Sequence, residues 1–330
     1  MLYLNDSHVE ALGTDWEQLV SLIEDVVRAD DRGECVHPLK PYLRFGGAAA
    51  NRIIAMPAYV GGAVETAGLK WIASFPGNRR LGLPRAHNAI VLNRPDTGEP
   101  IAFLHSGRLN GLRTAAVSGA MLRAFMASRR AGEGEPPLRL GIIGWGPIGR
   151  LHLDMCAALL GDRLGQVMLH DLQGVDPATV PPGLRDRTVI VDDWRPLYRA
   201  SNVTATCTVS AARYIDEPPP AGALLLNVSL RDYEPTSIAH AKPAAVVVVD
   251  DWREVCRENT DIEQLQLRHG LGESDVRTLA DVVCRQALAG GGSEGETVFF
   301  SPMGLGIFDI AVAETYRRKA LERGVGVLLD

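Results

Sequence analysis

A glycine-rich turn between a predicted strand and a predicted helix constrains the fold of this chain more than any other feature. The apolar run 138–143 leads into Gly144-Trp145-Gly146-Pro147-Ile148-Gly149, and a helical pattern follows over 150–160. The first glycine of such a turn allows the tight bend, the second lets a pyrophosphate approach the backbone, and the third lets helix and strand pack closely. The helix N-terminus offers N–H groups and a positive dipole end to phosphates. This pattern predicts a dinucleotide-binding unit.

An acidic residue lies where the dinucleotide motif expects one. A second apolar run, 166–170, ends at Asp171, about 20 residues past the glycines. Its carboxylate would accept hydrogen bonds from the ribose hydroxyls and would repel a 2′-phosphate. Asp171 therefore favours NAD over NADP, although the nearby Arg150 could reach a phosphate. The alternative is a surface turn followed by an ordinary strand-end aspartate, and the flanking strand and helix patterns weigh against it.

Length and composition limit the class of protein. With 330 residues, the chain is long enough for two domains with separate cores. A net charge of −6 argues against a nucleic-acid binder, and no apolar stretch is long enough to span a membrane. The N-terminus lacks the features of a signal peptide, and the five cysteines are scattered without a Cys-x-x-Cys pair. We therefore expect a cytoplasmic protein without a disulfide framework or a metal site.

The polar segment Ala131–Pro137, which contains glycine and proline, is the best candidate for a domain boundary. Beyond it, predicted strands alternate with helical stretches, as in a doubly wound parallel sheet. We predict a nucleotide domain over 131–307 and a first domain over 1–130, completed by a closing helix within 308–330. The predicted strands of the nucleotide domain are 138–144, 166–171, 188–192, 203–209, 223–229 and 245–250.

The first 130 residues mix helix and strand signals. A capping box of Thr14 and Glu17, followed by apolar residues at helical spacing, predicts a helix that ends near Asp31. An alanine- and leucine-rich stretch predicts a long helix over 110–130. Between the two helices, turn signals separate predicted strands. These strands are 53–56, 66–73, 86–93 and 100–105.

Several basic residues in the first domain have apolar neighbours. Lys70 lies inside an apolar strand, and Arg113 begins a helix that is otherwise poor in charge. Lys40, Arg44 and Arg85 lie in similar settings. A basic side chain in an apolar setting is costly unless it is paired, and a carboxylate substrate is one possible partner. The surface is the usual place for any single Lys or Arg, but the neighbouring sequence favours a functional role for Lys70 and Arg113.

Asp232 follows a predicted strand of the nucleotide domain. Ligands of open α/β sheets bind beyond the carboxyl ends of the strands, where an acid could move a proton. A turn aspartate that caps the next segment is an equally good interpretation from position alone. No His-Glu-x-x-His or comparable cluster indicates a metal, and no Gly-x-Ser-x-Gly elbow indicates a serine hydrolase.

An ordered set of motifs covers nearly the whole chain. The motifs are His37-Pro38-Leu39-Lys40, Met56-Pro57, Gly68-Leu69-Lys70, Pro76-Gly77-Asn78, Leu112-Arg113-Thr114-Ala115-Ala116, the glycine turn and Ser301-Pro302-Met303-Gly304. The set resembles the ornithine cyclodeaminase/mu-crystallin family. The resemblance implies an α/β protein with a Rossmann-type NAD domain and an α+β substrate and dimerisation domain, assembled as a homodimer.

The resemblance also implies roles for individual residues. Lys70 matches the substrate-site lysine, Arg113 the arginine that binds the substrate α-carboxylate, and Asp232 the general acid/base. Met303 and Gly304 match a segment beside the nicotinamide. The other candidates are Met56, Lys40, Arg44 and Arg85 for the substrate, and Thr114, Thr208 and Val209 for the cofactor.

Two departures separate the chain from the cyclodeaminases. Lys40 stands where those enzymes have a carboxylate-binding arginine, and Leu230-Arg231-Asp232-Tyr233-Glu234-Pro235 replaces their Gly-Gly-Asp-Cys-Pro-Gly-like sequence. The stretches 38–44, 52–59, 70–78 and 82–86 are similar to the family branch that makes 2,3-diaminopropionate for siderophores and peptide antibiotics. Members of that branch oxidise N-(2-amino-2-carboxyethyl)-L-glutamate, whose three carboxylates suit the basic residues.

The resemblance to this branch implies an NAD-dependent oxidation of the secondary amine, followed by hydrolysis to 2-oxoglutarate and L-2,3-diaminopropionate. Two alternatives stay open. An ornithine or lysine cyclodeaminase would share the oxidation but would close a ring and release ammonia. A non-catalytic, mu-crystallin-like nucleotide-binding protein is the other, and the presence of Lys70, Arg113 and Asp232 argues against it.

Overall fold

The computed structural model describes residues 1–46, 51–129, 136–241, 244–288 and 295–329. The chain forms two compact units, Met1–Val117 with Gly304–Asp330 and Ser118–Met303. The first unit thus ends inside a long helix, whereas the sequence places the boundary at Ala131–Pro137, of which 131–135 lie outside the described residues. The domain limits given by the sequence therefore stay predictions.

The first unit is built on an eight-stranded sheet with a closing helix. Its elements are β1 (Leu2–Asn5), α1 (Asp6–Ala11), α2 (Trp16–Asp31), β2 (Cys35–Val36), β3 (Tyr42–Leu43), β4 (Arg52–Val60), β5 (Thr66–Ser74), β6 (Ala86–Asn93), β7 (Pro100–His105), the first part of α3 (Gly107–Ser128), α10 (Gly306–Arg323) and β16 (Val327–Leu328). The strand order is β16-β1-β7-β6-β5-β4-β2, with β3 on β4. Strands β4 to β7 form an antiparallel meander, and β1 pairs with β7 in parallel. The closing helix α10 packs against β4, β5, β6 and the helix α2.

Capping side chains set where two of these helices begin. The predicted capping box of Thr14 and Glu17 is wrong, because Asp15 is the N-cap of α2 and accepts from the backbone N–H of Gln18 over 2.9 Å. Helix α3 begins at Gly107, three residues before its predicted start. Ser106 Oγ accepts from the backbone N–H of Leu109 over 3.1 Å, and this hydroxyl in turn donates to Asp6 over 2.5 Å.

The second unit contains the predicted parallel sheet. Its elements are β8 (Leu138–Ile143), α4 (Pro147–Leu160), β9 (Leu164–His170), β10 (Thr188–Ile190), α5 (Trp194–Ala200), β11 (Val203–Thr206), β12 (Leu224–Asn227), α6 (Pro235–Ala239), β13 (Val246–Val249), α7 (Trp252–Val255), α8 (Asp261–His269), β14 (Arg277–Thr278), α9 (Leu279–Arg285) and β15 (Val298–Phe300). The strand order is β10-β9-β8-β11-β12-β15-β13-β14, and every neighbouring pair is parallel. The chain reverses its strand order between β8 and β11, which is where doubly wound folds bind ligands.

Burial explains why the sequences of the central strands of this sheet are continuous apolar runs. Strands β11, β12 and β15 are buried along their whole length, as expected where helices cover both faces of a parallel sheet. The α/β fold class with a Rossmann-type unit is therefore confirmed. In the described ranges, no helix combines the length and apolarity that crossing a membrane requires.

Candidate active site

The glycine turn joins β8 to α4, as predicted. Gly144 has a φ of +101°, and a Cβ there would lie 2.6 Å from the carbonyl group of Cys207. A Cβ on Gly149 would overlap the carbonyl oxygen of Gly144, so this position also needs glycine. Gly146 is the N-cap of α4 and Pro147 its first residue. Because a glycine N-cap has no side chain, the start of the helix can be approached closely by a phosphate.

Asp171 lies directly beside this turn. Its Oδ2 accepts from the backbone N–H of Trp145 over 2.7 Å, and its Oδ1 accepts from the N–H of Gln173 over 2.9 Å. The buried Trp145 indole donates to Thr179 Oγ1 over 2.7 Å. The guanidinium of Arg150 lies over the same ring, 5.8 Å from its centroid. The structure thus joins the predicted glycine turn and the predicted acidic residue into one cluster.

Asp232 lies beyond the carboxyl end of β12 and is completely buried. Thr208 Oγ1 donates to its Oδ1 over 2.6 Å, and its Oδ2 finds no hydrogen-bond partner among the described residues. Burial raises the pKa of the Asp232 carboxyl above its usual value, and the neighbouring hydroxyl groups of Ser229, Thr208 and Thr206 oppose this rise. A carboxyl with a raised pKa and one available oxygen is suited to taking up and releasing a proton.

The sequence analysis missed a second acid beside Asp232. Asp261 is buried at the start of α8, and its Oδ2 accepts from the backbone N–H of Asp232 over 3.1 Å. Its Oδ1 accepts from Arg213 Nε over 2.7 Å. Thr260, the N-cap of α8, could have been recognised from the sequence, but a cap residue says nothing about the side chain that follows it.

The first unit holds a buried cluster of charges around Lys70. Lys70 Nζ donates to Asp309 Oδ1 over 2.8 Å and to Asn110 Oδ1 over 2.7 Å. Arg113 Nε donates to the same Asp309 oxygen over 2.9 Å. Lys70 is 1% exposed and Asp309 2% exposed. Two cations therefore share one carboxylate, and we call Lys70, Asn110, Arg113 and Asp309 the Asp309 cluster.

The members of the Asp309 cluster shift one another's pKa. Burial lowers the pKa of Lys70 to about 7; Asp309 opposes this change, and Arg113 adds to it. Burial alone would raise the pKa of Asp309, but Arg113 and Lys70 together lower it below its usual value. The carboxylate is therefore held in its ionised form, while the ammonium is close to losing its proton at neutral pH.

Lys40 and Gly304 extend this cluster. Lys40 is buried, its Nζ donates to the carbonyl oxygen of Gly304 over 2.8 Å, and its charge further lowers the pKa of Lys70. Gly304 has a φ of +80°, and a Cβ on it would overlap the guanidinium of Arg113. Met56 is buried and lies opposite Lys70 in the β4–β5 register. Five of the predicted site residues are thus within one region of the first unit.

The other predicted residues lie in more varied settings. Arg44 is exposed with its guanidinium 5.6 Å from the Tyr42 ring centroid, and Arg85 is half-buried. Two of the remaining candidates form hydrogen bonds: Thr114 Oγ1 donates to the Asn110 carbonyl over 2.7 Å, and the N–H of Met303 donates to Asp250 over 2.9 Å. Val209 is exposed beyond β11.

A family model for the ornithine cyclodeaminase/mu-crystallin family matches residues 4–324. The chain belongs to this family. N-((2S)-2-amino-2-carboxyethyl)-L-glutamate dehydrogenase of Staphylococcus aureus is 30% identical over 352 residues, which cover 100% of this chain and 98% of the relative. Alanine dehydrogenase of Archaeoglobus fulgidus is 26% identical, with 98% of this chain and 97% of the relative covered.

One solved structure has the same fold over its full length. Δ(1)-pyrroline-2-carboxylate reductase of Thermococcus litoralis, in complex with NADH and L-proline, superposes with a TM-score of 0.82 at 23% identity. The superposition covers 100% of each chain. This chain therefore shares the fold of the solved reductase.

Asp309 and Asn110 contact Lys70 and Arg113, and neither was singled out from the sequence. Asp309 lies in the apolar stretch Gly306–Ala313 of α10, where an acid is out of place. This is the same signal that drew attention to Lys70, and it applies equally to acids. In the described ranges, no group of three or more His, Cys, Asp or Glu side chains is arranged to hold a metal ion.

Proposed function

We propose that this chain is an NAD-dependent oxidoreductase that converts N-(2-amino-2-carboxyethyl)-L-glutamate and water to L-2,3-diaminopropionate and 2-oxoglutarate. The chemistry that NAD⁺ supplies when bound is acceptance of a hydride from the glutamate Cα. Water then adds to the resulting imine carbon, and the carbon–nitrogen bond breaks. The full-length identity of 30% with the Staphylococcus aureus enzyme of this name carries the proposal.

The second unit provides groups that fit the cofactor. The pyrophosphate would bind at the start of α4, where Gly144, Gly146 and Gly149 let it approach. Asp171 already accepts one backbone N–H on each oxygen, and each oxygen has a second lone pair for a ribose hydroxyl. A 2′-phosphate would be repelled by this carboxylate, so we propose NAD rather than NADP. The further cofactor contacts we propose are Trp145, Pro147, Ile148, Thr114, Thr208, Val209, Met303 and Gly304.

The first unit provides groups that fit an anionic substrate. Lys70 and Arg113 share the single carboxylate of Asp309, and the buried Lys40 adds a further positive charge. Such a region favours carboxylates, which guanidinium and ammonium groups bind by charge-assisted hydrogen bonds. We propose that Arg113 and Lys40 bind substrate carboxylates, with Arg44, Arg85 and Met56 as further substrate contacts. Lys70, with its pKa near 7, would orient the substrate or activate the water.

Asp232 would take the proton from the substrate amine or from the attacking water. Burial raises the pKa of its carboxyl, which brings proton uptake closer to neutral pH, and its Oδ2 is available among the described residues. A general acid/base needs both properties. We therefore propose Asp232 and Lys70 as the residues that act on the reacting atoms.

NADH formation across a panel of substrates tests this function. We would assay N-(2-amino-2-carboxyethyl)-L-glutamate, ornithine, lysine and alanine, and measure 2-oxoglutarate and 2,3-diaminopropionate in parallel. The proposal expects NADH and 2-oxoglutarate in equal amounts from the first compound. Proline formation from ornithine would indicate a cyclodeaminase instead, and the absence of NADH with every compound would favour a non-catalytic binding protein.

We also propose a homodimer formed through the open face of the first sheet. Helix α10 covers one face, where Lys70 and Ile90 are buried. Because strand residues alternate between faces, Leu69, Trp71 and Phe103 lie on the other face. Trp71 is 39% exposed, which is unusual for a large aromatic residue on a sheet. A second copy of the chain would bury this apolar face.

The variant Trp71→Glu should be monomeric, because a charge at the centre of an apolar interface would be desolvated without a partner. Light scattering would give the mass of the wild-type protein as twice that of the variant. Leu321→Glu, at an exposed position of α10, is the matched control and should keep the wild-type mass. A monomeric wild-type protein would contradict the proposed dimer.

A role in siderophore or peptide-antibiotic synthesis would follow from the product, since 2,3-diaminopropionate is a building block of both. We propose that the reaction takes place in the cytoplasm. No disulfide joins the cysteines in the described residues, and all five lie within those residues.

A further inference from the structure

The backbone of Asp232 is fixed on both sides by hydrogen bonds. Its N–H donates to Asp261 Oδ2 over 3.1 Å, and its carbonyl oxygen accepts from the N–H groups of Tyr214 and Ile215, each over 2.9 Å. In its side chain, Oδ1 accepts a hydrogen bond from the Thr208 hydroxyl, and Oδ2 has no hydrogen-bond partner among the described residues. Asp232 is therefore held by its backbone, while one carboxyl oxygen is left for chemistry.

Asp261 provides the side-chain part of this anchor. Its Oδ2 also accepts from the N–H of Tyr233 over 3.2 Å and from Asn227 Nδ2 over 3.0 Å, and its Oδ1 accepts from Arg213 Nε over 2.7 Å. All four donors to Asp261 are N–H groups, so the ionised carboxylate is the form that satisfies them. Burial raises the pKa of Asp261 to about 7, and the N–H of Tyr233 and the charge of Arg213 oppose this rise.

The loop between β12 and Asp232 needs such an anchor. Leu230 has a φ of +70°, in the left-handed region that a leucine rarely adopts. Its N–H donates to Asn227 Oδ1 over 3.1 Å, and its carbonyl oxygen accepts from the N–H of Asp261 over 2.8 Å. A strained residue keeps its conformation only when its surroundings fix it. Asp261 contacts this loop through both its backbone and its side chain.

We propose that Asp261 is the positioning residue of Asp232: its carboxylate, paired with Arg213, holds the loop Leu230–Tyr233 so that the Asp232 carboxyl keeps one oxygen directed to the reaction. This inference rests on the proposed function, because it takes Asp232 as the general acid/base. Asp261 itself takes part in no proton transfer. Its effect on the rate passes through Asp232.

The variant Asp261→Asn tests this role in the full-length protein with NAD⁺ and N-(2-amino-2-carboxyethyl)-L-glutamate. An amide cannot accept all four N–H groups, because one of its two ends is itself a donor. We expect kcat to fall about tenfold to 100-fold, which is the loss that a catalytic group displaced by up to about 1 Å would cause. The KM for substrate and the Kd for NAD⁺ should stay within about twofold of wild type. A change in KM or Kd with kcat unchanged would overturn the inference.

A double-mutant cycle separates positioning from a general structural role. Residues that act as one unit are non-additive, so Asp261→Asn should have little further effect on kcat in the Asp232→Asn background. If Asp261→Asn lowers kcat by the same factor in that background as in the wild-type protein, Asp261 does not act through Asp232. Should the wild-type enzyme oxidise another amino acid of the panel, the proposed substrate would be wrong, and the same cycle run with that amino acid would still decide the role of Asp261.

Two more variants test whether a folding defect, rather than a lost position of Asp232, explains the fall in kcat. Arg213→Gln keeps every acceptor on Asp261 but removes its ion pair, and it should lower kcat less than Asp261→Asn does. Asp281→Asn is the matched control, because Asp281 accepts from the N–H and hydroxyl of Thr278, over 2.7 Å and 2.8 Å, in the capping box of α9. This control should lower thermal stability without a change in kcat. An equal loss of kcat in the control would contradict a specific role for Asp261.

Discussion

Asp309 in the first unit and Asp232 in the second are both buried aspartates, and their surroundings push their pKa values in opposite directions. Asp309 accepts hydrogen bonds from Lys70 and Arg113, and these two cations hold its pKa below the usual value despite burial. Asp232 has a hydroxyl on one oxygen, and burial raises its pKa. Environments that separate the pKa values of like groups also separate their roles. Asp309 is therefore suited to be a permanent counter-ion, and Asp232 a proton carrier.

The largest effect should come from Asp232→Asn. The amide fills the same space but cannot carry a proton, so we expect kcat to fall by about 10²- to 10⁴-fold. The Kd for NAD⁺ should be unchanged, because the glycine turn and Asp171 are intact. Steady-state kinetics and titration of NAD⁺ by fluorescence would measure the two quantities. Near-normal turnover in this variant would remove Asp232 from the mechanism.

Asp309→Asn should act on stability instead. Its removal leaves Lys70 and Arg113 buried without their shared carboxylate, and breaking a buried ion pair costs about 3–5 kcal/mol of the free energy of unfolding. Urea denaturation would measure the loss. The control is Asp96→Asn, which breaks the exposed pair of Arg94 and Asp96 and should leave the midpoint unchanged. Equal midpoints for Asp309→Asn and the control would mean that the buried cluster does not depend on its carboxylate.

The same contrast shows what could be predicted from the sequence. Turn signals between the strands predicted Ala86–Asn93 and Pro100–His105 with correct bounds, and the alternation of strands with helices predicted the parallel sheet. These are local patterns. Asp309 was missed because its partners Lys70 and Arg113 lie 239 and 196 residues away along the chain.

Short strands were missed for a related reason. Leu2–Asn5 is a strand because it pairs with β7, about one hundred residues away in the sequence, and Val298–Phe300 is a strand because it lies between β12 and β13. Three or four residues carry too little periodicity to predict a strand. Pairing partners define such elements, and these are set by the fold as a whole.

The smallest effect should come from the pH dependence of Lys70. Its pKa is about 7 in the folded protein, against 10.5 ordinarily, so between these pH values the unfolded chain binds a proton that the folded chain does not. The contribution of Lys70 to the free energy of unfolding is therefore fully present above pH 10.5 and is lost as the pH falls toward 7. The titration of Lys70 changes the free energy of unfolding by at most about 1.4 kcal/mol per pH unit.

Comparing the wild-type protein with Lys70→Met isolates this contribution, because the tyrosines and cysteines titrate alike in both proteins. Denaturation in urea at several pH values between about 7 and 9 would give the difference in the free energy of unfolding. We expect the free energy of unfolding of the wild-type protein to rise relative to that of the variant as the pH rises through this interval. A constant difference would mean that Lys70 stays protonated throughout. Asp309 would then keep the lysine charged against burial and the charge of Arg113, and the contrast with Asp232 would extend to the whole cluster.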